Sequence, residues 1–208
     1  MSDSPRARRT RADGEQSRTR ILDAATEIAA ERGYEGTSIA LVSKKCGLPA
    51  SSIYWHFKDK DDLLAAVIER SFDSWLLAWT LPADGEPRDR VITLAAQIAK
   101  ALLDSPDFIR LGLMLALERR PVEPRAREMF LSVRSQAAES LQAALGEFTP
   151  GLDAAQLRQL VAYAIAGADG LFIAKEIGGD SVDLLALFEL HARALYDTAQ
   201  RMLTENAS

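Results

Sequence analysis

The chain has 208 residues, 48% of them hydrophobic, and carries 25 Lys and Arg against 30 Asp and Glu for a net charge of −5. This composition allows a sizeable core, and the few, clustered Gly and Pro favour helices over a β fold with many turns. The single cysteine, Cys46, excludes a disulfide framework within the chain and a cysteine-based zinc site. No apolar run reaches the roughly 18 residues of a membrane span, and the charged start lacks the apolar core of a secretory signal. We therefore expect a cytoplasmic protein.

Charge is unevenly distributed along the chain. Residues 1–60 contain 11 Lys and Arg against 8 Asp and Glu, whereas residues 61–208 contain 14 against 22. A basic front and an acidic back are typical of a protein that offers one end to nucleic-acid phosphates, although a solvated arginine-rich tail explains the charge as well. Residues 1–15 hold almost nothing apolar, so we expect a disordered basic tail that is either a DNA-contacting arm or inert.

Two helices are predicted in the next segment. The first begins near residues 15–18, carries one apolar stripe at helical spacing and ends at Gly33. Thr37 is a suitable N-cap for the second helix, because its hydroxyl can accept a backbone N–H that has no partner within the helix. That second helix ends at Gly47.

Two further helices complete the N-terminal part. Pro49 suits the first turn of a short third helix, since its missing N–H is not needed there, and this helix ends by Lys58. Asp59 can cap a fourth helix, which has an apolar face about five turns long.

The clearest break in the chain is the segment 82–87, which contains two prolines and a glycine. Beyond it, Pro and Gly clusters separate segments of helical periodicity, and no segment alternates convincingly enough to be a strand. We predict an all-α fold with five more helices, at about 87–104, 106–120, 124–147, 153–178 and 181–203.

The second and third helices have the outline of a helix-turn-helix: a helix ending at Gly47, a turn of three or four residues, and a short second helix. In this motif the first helix braces across the DNA backbone while the second lays its N-terminal end in the major groove. Ile53 and Phe57 lie one turn apart and anchor the short helix to the core. Its opposite side presents Ala50, Ser51, Tyr54 and Trp55.

The stretch from Arg18 to Leu64 resembles the DNA-binding domain of the TetR family of bacterial repressors. Order, spacing and residue type agree in six short runs, at 21–25, 31–34, 36–39, 46–48, 53–57 and 60–64. The resemblance implies an N-terminal three-helix DNA-binding domain and a larger C-terminal helical domain for effector binding and dimerisation. Together with the tail, the expected domains are 1–15, 16–75 and 76–208.

The resemblance also implies roles for individual residues. Hydroxyl and backbone N–H groups at the start of the second helix touch phosphate, while Ser52 and Tyr54 lie in the groove. His56 contacts the flanking phosphate, and Lys60 pairs with a backbone phosphate beside a helix N-terminus. The expected DNA-binding residues are Thr37, Ser38, Ala50, Ser51, Ser52, Tyr54, Trp55, His56 and Lys60.

Structural alternatives stay open for the aromatic residues. Tyr54 and Trp55 can instead belong to the scaffold, and His56 can make a structural hydrogen bond. Pro49 and Ala50 also depart from the polar residues usual in the family, so fewer donors reach base edges and the operator sequence is not predicted.

The C-terminal helices are predicted to dimerise and to bind an effector. The 153–178 helix is apolar nearly all round and rich in small residues, so the last two helices of two chains can form a four-helix interface in a homodimer. Residues at this spacing are more often core than pocket, but ten are candidates for an effector site: Trp75, Trp79, Phe108, Leu111, Met114, Glu118, Phe130, Tyr163, Asp169 and Phe172. For Asp169, a bond across the dimer interface is the alternative.

The sequence therefore predicts a ligand-responsive transcriptional regulator, a repressor released from its DNA operator by a small molecule that the sequence does not identify. The alternative is a helical-bundle small-molecule carrier or enzyme. That alternative fits less well, because two histidines and one cysteine offer no nucleophile, base and orienting group, and paired Glu-x-x-His metal motifs are absent. A protein-binding adaptor would leave the 54–60 arrangement unexplained. We expect no enzyme activity, cofactor or metal.

Overall fold

The computed structural model describes residues 5–118 and 124–206, with side chains from residue 13 onward. Within these residues the chain is helical, with no strand and with one short 3₁₀ turn at Gly179–Ser181. The helices are α1 Pro5–Gly36, α2 Ile39–Cys46, α3 Ala50–His56, α4 Lys60–Leu77, α5 Pro87–Asp104, α6 Asp107–Leu117, α7 Arg125–Phe148, α8 Ala154–Gly178 and α9 Leu184–Asn206.

Most helix ends lie close to the predicted positions because local signals set them. The regular part of α1 ends at Gly33, whose φ of 67° is accessible to glycine at little cost. The Asp59 carboxylate accepts the backbone N–H of Asp62 at 2.9 Å and so caps α4 as predicted. Asp153 caps α8 and forms a capping box with Gln156.

The start of α1 differs from the sequence prediction. We expected disorder through residue 15, but the structure has helix from Pro5 onward. Arginine, alanine, glutamate and glutamine dominate this stretch and favour helix. Once α1 is fixed by the buried side chains of Ile21 and Leu22, each added residue gains a hydrogen bond without a new nucleation cost.

The helix cap of α2 is also displaced from the prediction, by one residue. Ser38, and not Thr37, is the N-cap, and its hydroxyl accepts the backbone N–H of Leu41 at 3.3 Å. Thr37 is almost fully buried, and its hydroxyl donates to the carbonyl of Gly33 at 2.8 Å. The Thr37 cap prediction is therefore wrong, because this hydroxyl is used to close the loop after α1.

The chain folds as two compact units. The first comprises Met1–Phe72 and Pro106–Ser132, and the second comprises Asp73–Ser105 and Val133–Ser208. The structure therefore groups α6 and the start of α7 with the N-terminal helices, which differs from the simple cut between residues 75 and 76 that the sequence suggested.

The first unit is built around α1, α4 and α6. The rings of Phe72 and Phe108 meet edge to face with centroids 5.6 Å apart, and the Ser71 hydroxyl accepts the backbone N–H of Phe108 at 3.2 Å. Gly112 of α6 packs so closely on the buried ring of Phe130 that no side chain fits between them. This core supports the helices that carry the helix-turn-helix.

The second unit is built around α5, α7, α8 and α9. One buried cluster joins α7, α8 and α9 and contains Leu145, Leu160, Val161, Ala164, Leu195 and Ala199. A second cluster joins α5, α7 and α9 through Val91, Phe148 and Ala192. No helix within the described residues is both long enough and apolar enough to cross a membrane.

Gly112→Ala tests the close packing in the first unit. A Cβ on Gly112 would overlap the Phe130 ring, which is fully enclosed. We expect the free energy of unfolding to fall by about 1–3 kcal/mol, the usual cost of overpacking, measured by chemical denaturation.

Gly146→Ala, in the last turn of α7, is the control. Its Cβ would lie 3.8 Å from Leu157 Cδ2, an ordinary contact, and alanine raises helix propensity by about 1 kcal/mol. Equal effects from the two substitutions would contradict the packing described for Gly112.

Candidate nucleic-acid interface

The turn between α2 and α3 is fixed by hydrogen bonds from several elements. Gly47 adopts φ 66° and ψ 24°, and its N–H donates to the carbonyl of Ser43 at 3.0 Å. The Ser43 hydroxyl donates to the carbonyl of Leu48 at 2.7 Å, and the Arg20 guanidinium donates to the carbonyl of Cys46 at 2.7 Å. These bonds set the direction in which α3 leaves the turn.

Helix α3 is held by its apolar side and exposes the other. Ile53 is 0% and Phe57 is 3% exposed, whereas Tyr54 is 56% and Trp55 is 76% exposed. No hydrogen bond to the Tyr54 hydroxyl is present within the described part of the chain, so its donor faces solvent. Two neighbouring aromatic side chains are thus largely exposed on one side of α3.

The remaining α3 residues complete a polar outer surface. Ser51 is exposed, and Ala50, Ser52 and His56 are half-buried. The structure thus brings together all six α3 residues that were selected from the sequence.

His56 lies between two aromatic rings and near a cation. Its ring meets that of Trp55 edge to face with centroids 4.5 Å apart. Burial, and secondly the positive charge of Arg18, lower the pKa of His56 from the ordinary value of 6.5. The Arg18 guanidinium lies 5.5 Å from the centroid of the Phe57 ring, which places it beside α3.

Thr37 and Ser38, the two residues at the start of α2 that were expected to touch phosphate, differ in exposure. Ser38 is half-buried at the helix start, where its side chain serves as the cap. Thr37 is 1% exposed, and both its hydroxyl and its backbone N–H bond within the chain. The expected phosphate contact of Thr37 is therefore corrected: neither donor of this residue reaches the surface.

Lys60 has more protein contacts than the sequence suggested. Its ammonium donates to the carbonyl of Tyr34 at 3.1 Å and lies 4.4 Å from the centroid of the Tyr34 ring. Glu35 lies 3.6 Å from it, and 28% of the Lys60 side chain stays exposed. The role of Lys60 at phosphate stays a prediction, with an ammonium that is already oriented by Tyr34.

The first turn of α4 is also tied to the start of α7. The Asp61 carboxylate accepts the Tyr34 hydroxyl at 3.0 Å and the backbone N–H groups of Arg125 and Ala126 at 2.5 and 3.1 Å. The Arg125 guanidinium pairs with Asp62. A carboxylate at a helix N-terminus satisfies donors that the helix itself leaves open.

Sequence reasoning missed the part of α1 that lies beside α3. Gly14 was assigned to the tail, and Ser17 and Arg18 fell at the predicted start of the first helix without a role, yet each lies next to an α3 residue or to Phe57. These contacts join residues about 40 positions apart. The sequence pattern could indicate them only through the side of α1 on which these residues lie relative to its apolar stripe.

The ten candidate effector residues are divided between the two units. Phe108, Leu111 and Phe130 are buried in the first unit, where Met114 is 48% exposed and Glu118 is exposed. Trp75, Trp79 and Phe172 are buried in the second unit, where Tyr163 is 58% exposed. The effector assignment stays a prediction.

Asp169 has a partner within its own unit. The Arg134 guanidinium donates two hydrogen bonds to the Asp169 carboxylate, at 2.7 and 2.6 Å, and both side chains are largely covered. This bidentate pair explains a carboxylate in an apolar stretch without a ligand or a second chain. Within the described ranges, no group of three or more His, Cys, Asp or Glu side chains is arranged to hold a metal ion.

The fold and the exposed α3 define the class of the protein: an all-α chain with an N-terminal three-helix helix-turn-helix domain and a larger C-terminal helical domain. Residues 21–67 match the family model of bacterial regulatory proteins of the tetR family. The segment 21–67, which holds the helix-turn-helix, is therefore that of a TetR family regulator.

Two curated proteins illustrate how far the sequence likeness extends. HTH-type transcriptional regulator AcrR of Shigella flexneri is 38% identical over 65 residues, which cover 31% of this chain and 30% of that protein. HTH-type transcriptional repressor Rv1353c of Mycobacterium tuberculosis is 30% identical over 130 residues, which cover 62% of this chain and 50% of that protein. The chain thus spans only between 30% and 50% of the length of these relatives.

Solved structures match over nearly the whole chain. The fatty acid degradation regulator FadR from Bacillus halodurans has a TM-score of 0.72 at 17% identity, covering 94% of this chain and 97% of that one. The TetR family regulator PfmR from Thermus thermophilus has a TM-score of 0.63 at 20% identity, covering 87% and 97%. At these identities the likeness establishes the fold.

Titration of His56 tests the geometry of α1 beside α3. Arg18→Gln removes a positive charge that disfavours protonation, so we expect the pKa of His56 to rise towards 6.5. Burial is the larger cause, so the pKa stays below that value. Proton NMR of the two histidine rings measures it, and His56→Gln assigns the signal.

Arg158→Gln, on an exposed face of α8, is the control and should leave the His56 titration unchanged. A His56 pKa that is unaltered or lowered by Arg18→Gln would contradict the position of Arg18.

Proposed function

We propose that the chain is a DNA-binding transcriptional regulator that acts as a homodimer. The observation that supports this most directly is the contrast on α3, where Ile53 and Phe57 are buried and Tyr54 and Trp55 are exposed. A short helix fixed through one side and aromatic on the other suits insertion into the major groove. The repressor name of the mycobacterial relative favours repression.

The proposed DNA contacts divide into two kinds. Tyr54, with the small residues before it, meets base edges and thymine methyl groups, and thereby reads sequence. Ser38, His56 and Lys60 meet phosphate, and thereby fix the position of the protein on the duplex. The full proposed set is Ser38, Ala50, Ser51, Ser52, Tyr54, Trp55, His56 and Lys60.

The surface of α8 supports the proposed dimer. A stripe at helical spacing is exposed and free of charge, and it includes Tyr163, Gly170, Ile173 and Ile177, of which Ile177 is 82% exposed. On α9, Leu190 is 64% exposed. Exposed apolar stripes are typical of interfaces, and a C₂ dimer presents two α3 helices to half-sites about one DNA turn apart.

Response to a small molecule is proposed from the second unit. The indole N–H of Trp79 is buried and has no acceptor within the described residues. Buried donors of this kind nearly always have a partner, so an apolar effector that carries an acceptor is the class we propose. Effector binding would favour a state in which the recognition helices are displaced.

The link from Asp61 to the start of α7 offers a path for that response. Helix α7 begins in the first unit. There the backbone N–H groups of Arg125 and Ala126 donate to the carboxylate of Asp61, the residue that follows Lys60. A shift of α7 along its axis would therefore move the first turn of α4, which lies beside the proposed phosphate contacts.

Selection from a pool of duplexes tests DNA recognition. The pool carries about two helical turns of random sequence, and binding of enriched duplexes is measured by fluorescence anisotropy. We expect one enriched sequence with two related half-sites, and an affinity that falls steeply with salt because phosphate contacts release counterions.

Tyr54→Ala should weaken binding to the selected duplex by about 1–3 kcal/mol and reduce the preference over random DNA. Leu77→Ala is the control, since Leu77 is 84% exposed outside the helix-turn-helix. No enrichment by the wild-type chain, or an unchanged preference in Tyr54→Ala, would contradict the proposed function.

Leu190→Glu tests the dimer. A charge at this exposed site leaves the fold of one chain intact, but it would be buried without a partner in the α8 and α9 interface. We expect light scattering to give twice the chain mass for wild type and for the Leu77→Glu control, and a monomer for Leu190→Glu. A dimer for Leu190→Glu as well as for Leu77→Glu would contradict the proposal that α9 lies in the interface.

A further inference from the structure

Lys60, the proposed phosphate contact at the start of α4, is held by the residues around it. Its ammonium donates to the carbonyl of Tyr34 at 3.1 Å and lies 4.4 Å from the centroid of the Tyr34 ring. The Tyr34 hydroxyl in turn donates to the Asp61 carboxylate at 3.0 Å. Tyr34 follows Gly33, whose positive φ turns the chain at the end of the regular part of α1. The ammonium is therefore held by a residue whose own position is fixed.

Three aspartate carboxylates at the start of α4 are used by the fold. Asp59 accepts the backbone N–H of Asp62 at 2.9 Å, and Asp62 accepts that of Lys58 at 3.0 Å. Asp61 accepts two N–H groups from the start of α7. A phosphate that displaced one of these carboxylates would leave backbone donors without an acceptor, which costs free energy. The three aspartates are therefore fixed partners of the backbone.

Glu35 is placed differently from these aspartates. Its carboxylate lies 3.6 Å from the Lys60 ammonium, and 71% of its side chain is exposed. An exposed ion pair of this kind is weak, so a phosphate that approaches the same ammonium can replace the carboxylate. The pair also puts a negative charge beside the ammonium, on the side of the chain that is open to solvent. Glu35 and a DNA phosphate thus compete for one cation.

We propose that Glu35 is an intrachain counter-ion of Lys60 that a DNA phosphate displaces, and that Tyr34 keeps the ammonium in position during this exchange. The inference rests on the proposed function, since the exchange takes place at the Lys60 phosphate contact. Each half-site then carries the cost of separating one ion pair. Because all phosphates are alike, this cost lowers the affinity for selected and random DNA equally. Glu35 therefore sets how tightly the regulator binds, whereas α3 sets where it binds.

Glu35→Gln tests the exchange in the full chain. Glutamine has nearly the size of glutamate but no charge, so binding no longer requires the separation of an ion pair. We expect binding to the duplex selected by the wild-type chain to tighten by about two- to fivefold for each subunit, measured by fluorescence anisotropy at constant salt. The ratio of the affinities for selected and random DNA should keep its wild-type value. Glu69→Gln, at an exposed site further along α4, is the charge-matched control and should bind as wild type does.

A double-mutant cycle separates this exchange from general repulsion between Glu35 and DNA. In a Lys60→Gln background the ion pair is already lost, so Glu35→Gln should change the affinity little. In a Lys58→Gln background the pair is intact, so the gain should stay at about two- to fivefold. Lys58 is exposed two residues before Lys60 and is the matched control for the loss of a cation in this segment. Equal gains in both backgrounds would overturn the proposal, because Glu35 would then act only through its charge at a distance.

Two substitutions of Tyr34 test its role in positioning Lys60. Tyr34→Phe keeps the ring beside the ammonium, whereas Tyr34→Leu removes the ring and its cation–π contact. We expect Tyr34→Leu to weaken binding by about two- to fivefold for each subunit and Tyr34→Phe to retain most of the wild-type affinity. The loss in Tyr34→Leu should vanish in the Lys60→Gln background. A loss of the same size in both backgrounds would be structural and would contradict the positioning role.

The same titrations distinguish failure of this inference from failure of the proposed function. If the wild-type chain selects a sequence but Glu35→Gln binds it with unchanged affinity, the counter-ion proposal is overturned while DNA recognition stands. The same holds if Lys60→Gln binds as tightly as wild type does, since no phosphate would then contact the ammonium. A wild-type chain that selects no sequence would overturn both.

Discussion

The proposed DNA-binding surface depends on the burial of Ile53 and Phe57 and on the hydrogen-bonded turn between α2 and α3. These two side chains fix one side of α3 to the first unit, and Gly47 with its hydrogen-bonded neighbours fixes the direction in which α3 starts. A seven-residue helix is not stable alone in water, so α3 exists because of this packing. The exposure of Tyr54 and Trp55 follows from this packing, because they lie on the side of α3 opposite to Ile53 and Phe57.

The first unit places its charged groups around that helix. Arg18 lies on one side, and Lys60 lies at the start of α4, held by the carbonyl and the ring of Tyr34. Tyr34 also donates to Asp61, which in turn receives the first N–H groups of α7. The surface proposed to meet phosphate and the helix start proposed to respond to an effector thus share one set of hydrogen bonds, which is the basis of the proposed response.

Sequence predicted those features that neighbours along the chain determine. Helix ends at Gly33, Asp59 and Asp153 follow from a positive φ or from a carboxylate cap, and both act within a few residues. The apolar pair of α3 follows from helical spacing. Features that depend on distant residues were not predictable: the pairing of Asp169 with Arg134, 35 positions away, and the contact of Gly14 with Trp55. The cap of α2 was predicted one residue too early, at Thr37, because the hydrogen bond of the Thr37 hydroxyl to the carbonyl of Gly33, which leaves Ser38 as the cap, depends on the fold of the loop.

The central claim is that the outer side of α3 faces DNA, and ¹⁹F NMR of a chain labelled with 5-fluorotryptophan tests it most directly. The chain has three tryptophans, of which Trp75 and Trp79 are buried and Trp55 is exposed. On addition of the selected duplex, we expect that the Trp55 signal, assigned by Trp55→Phe, shifts and loses its sensitivity to a change from H₂O to D₂O. A Trp55 signal that stays solvent-sensitive and unshifted, at a duplex concentration where anisotropy shows saturation, would contradict the claim.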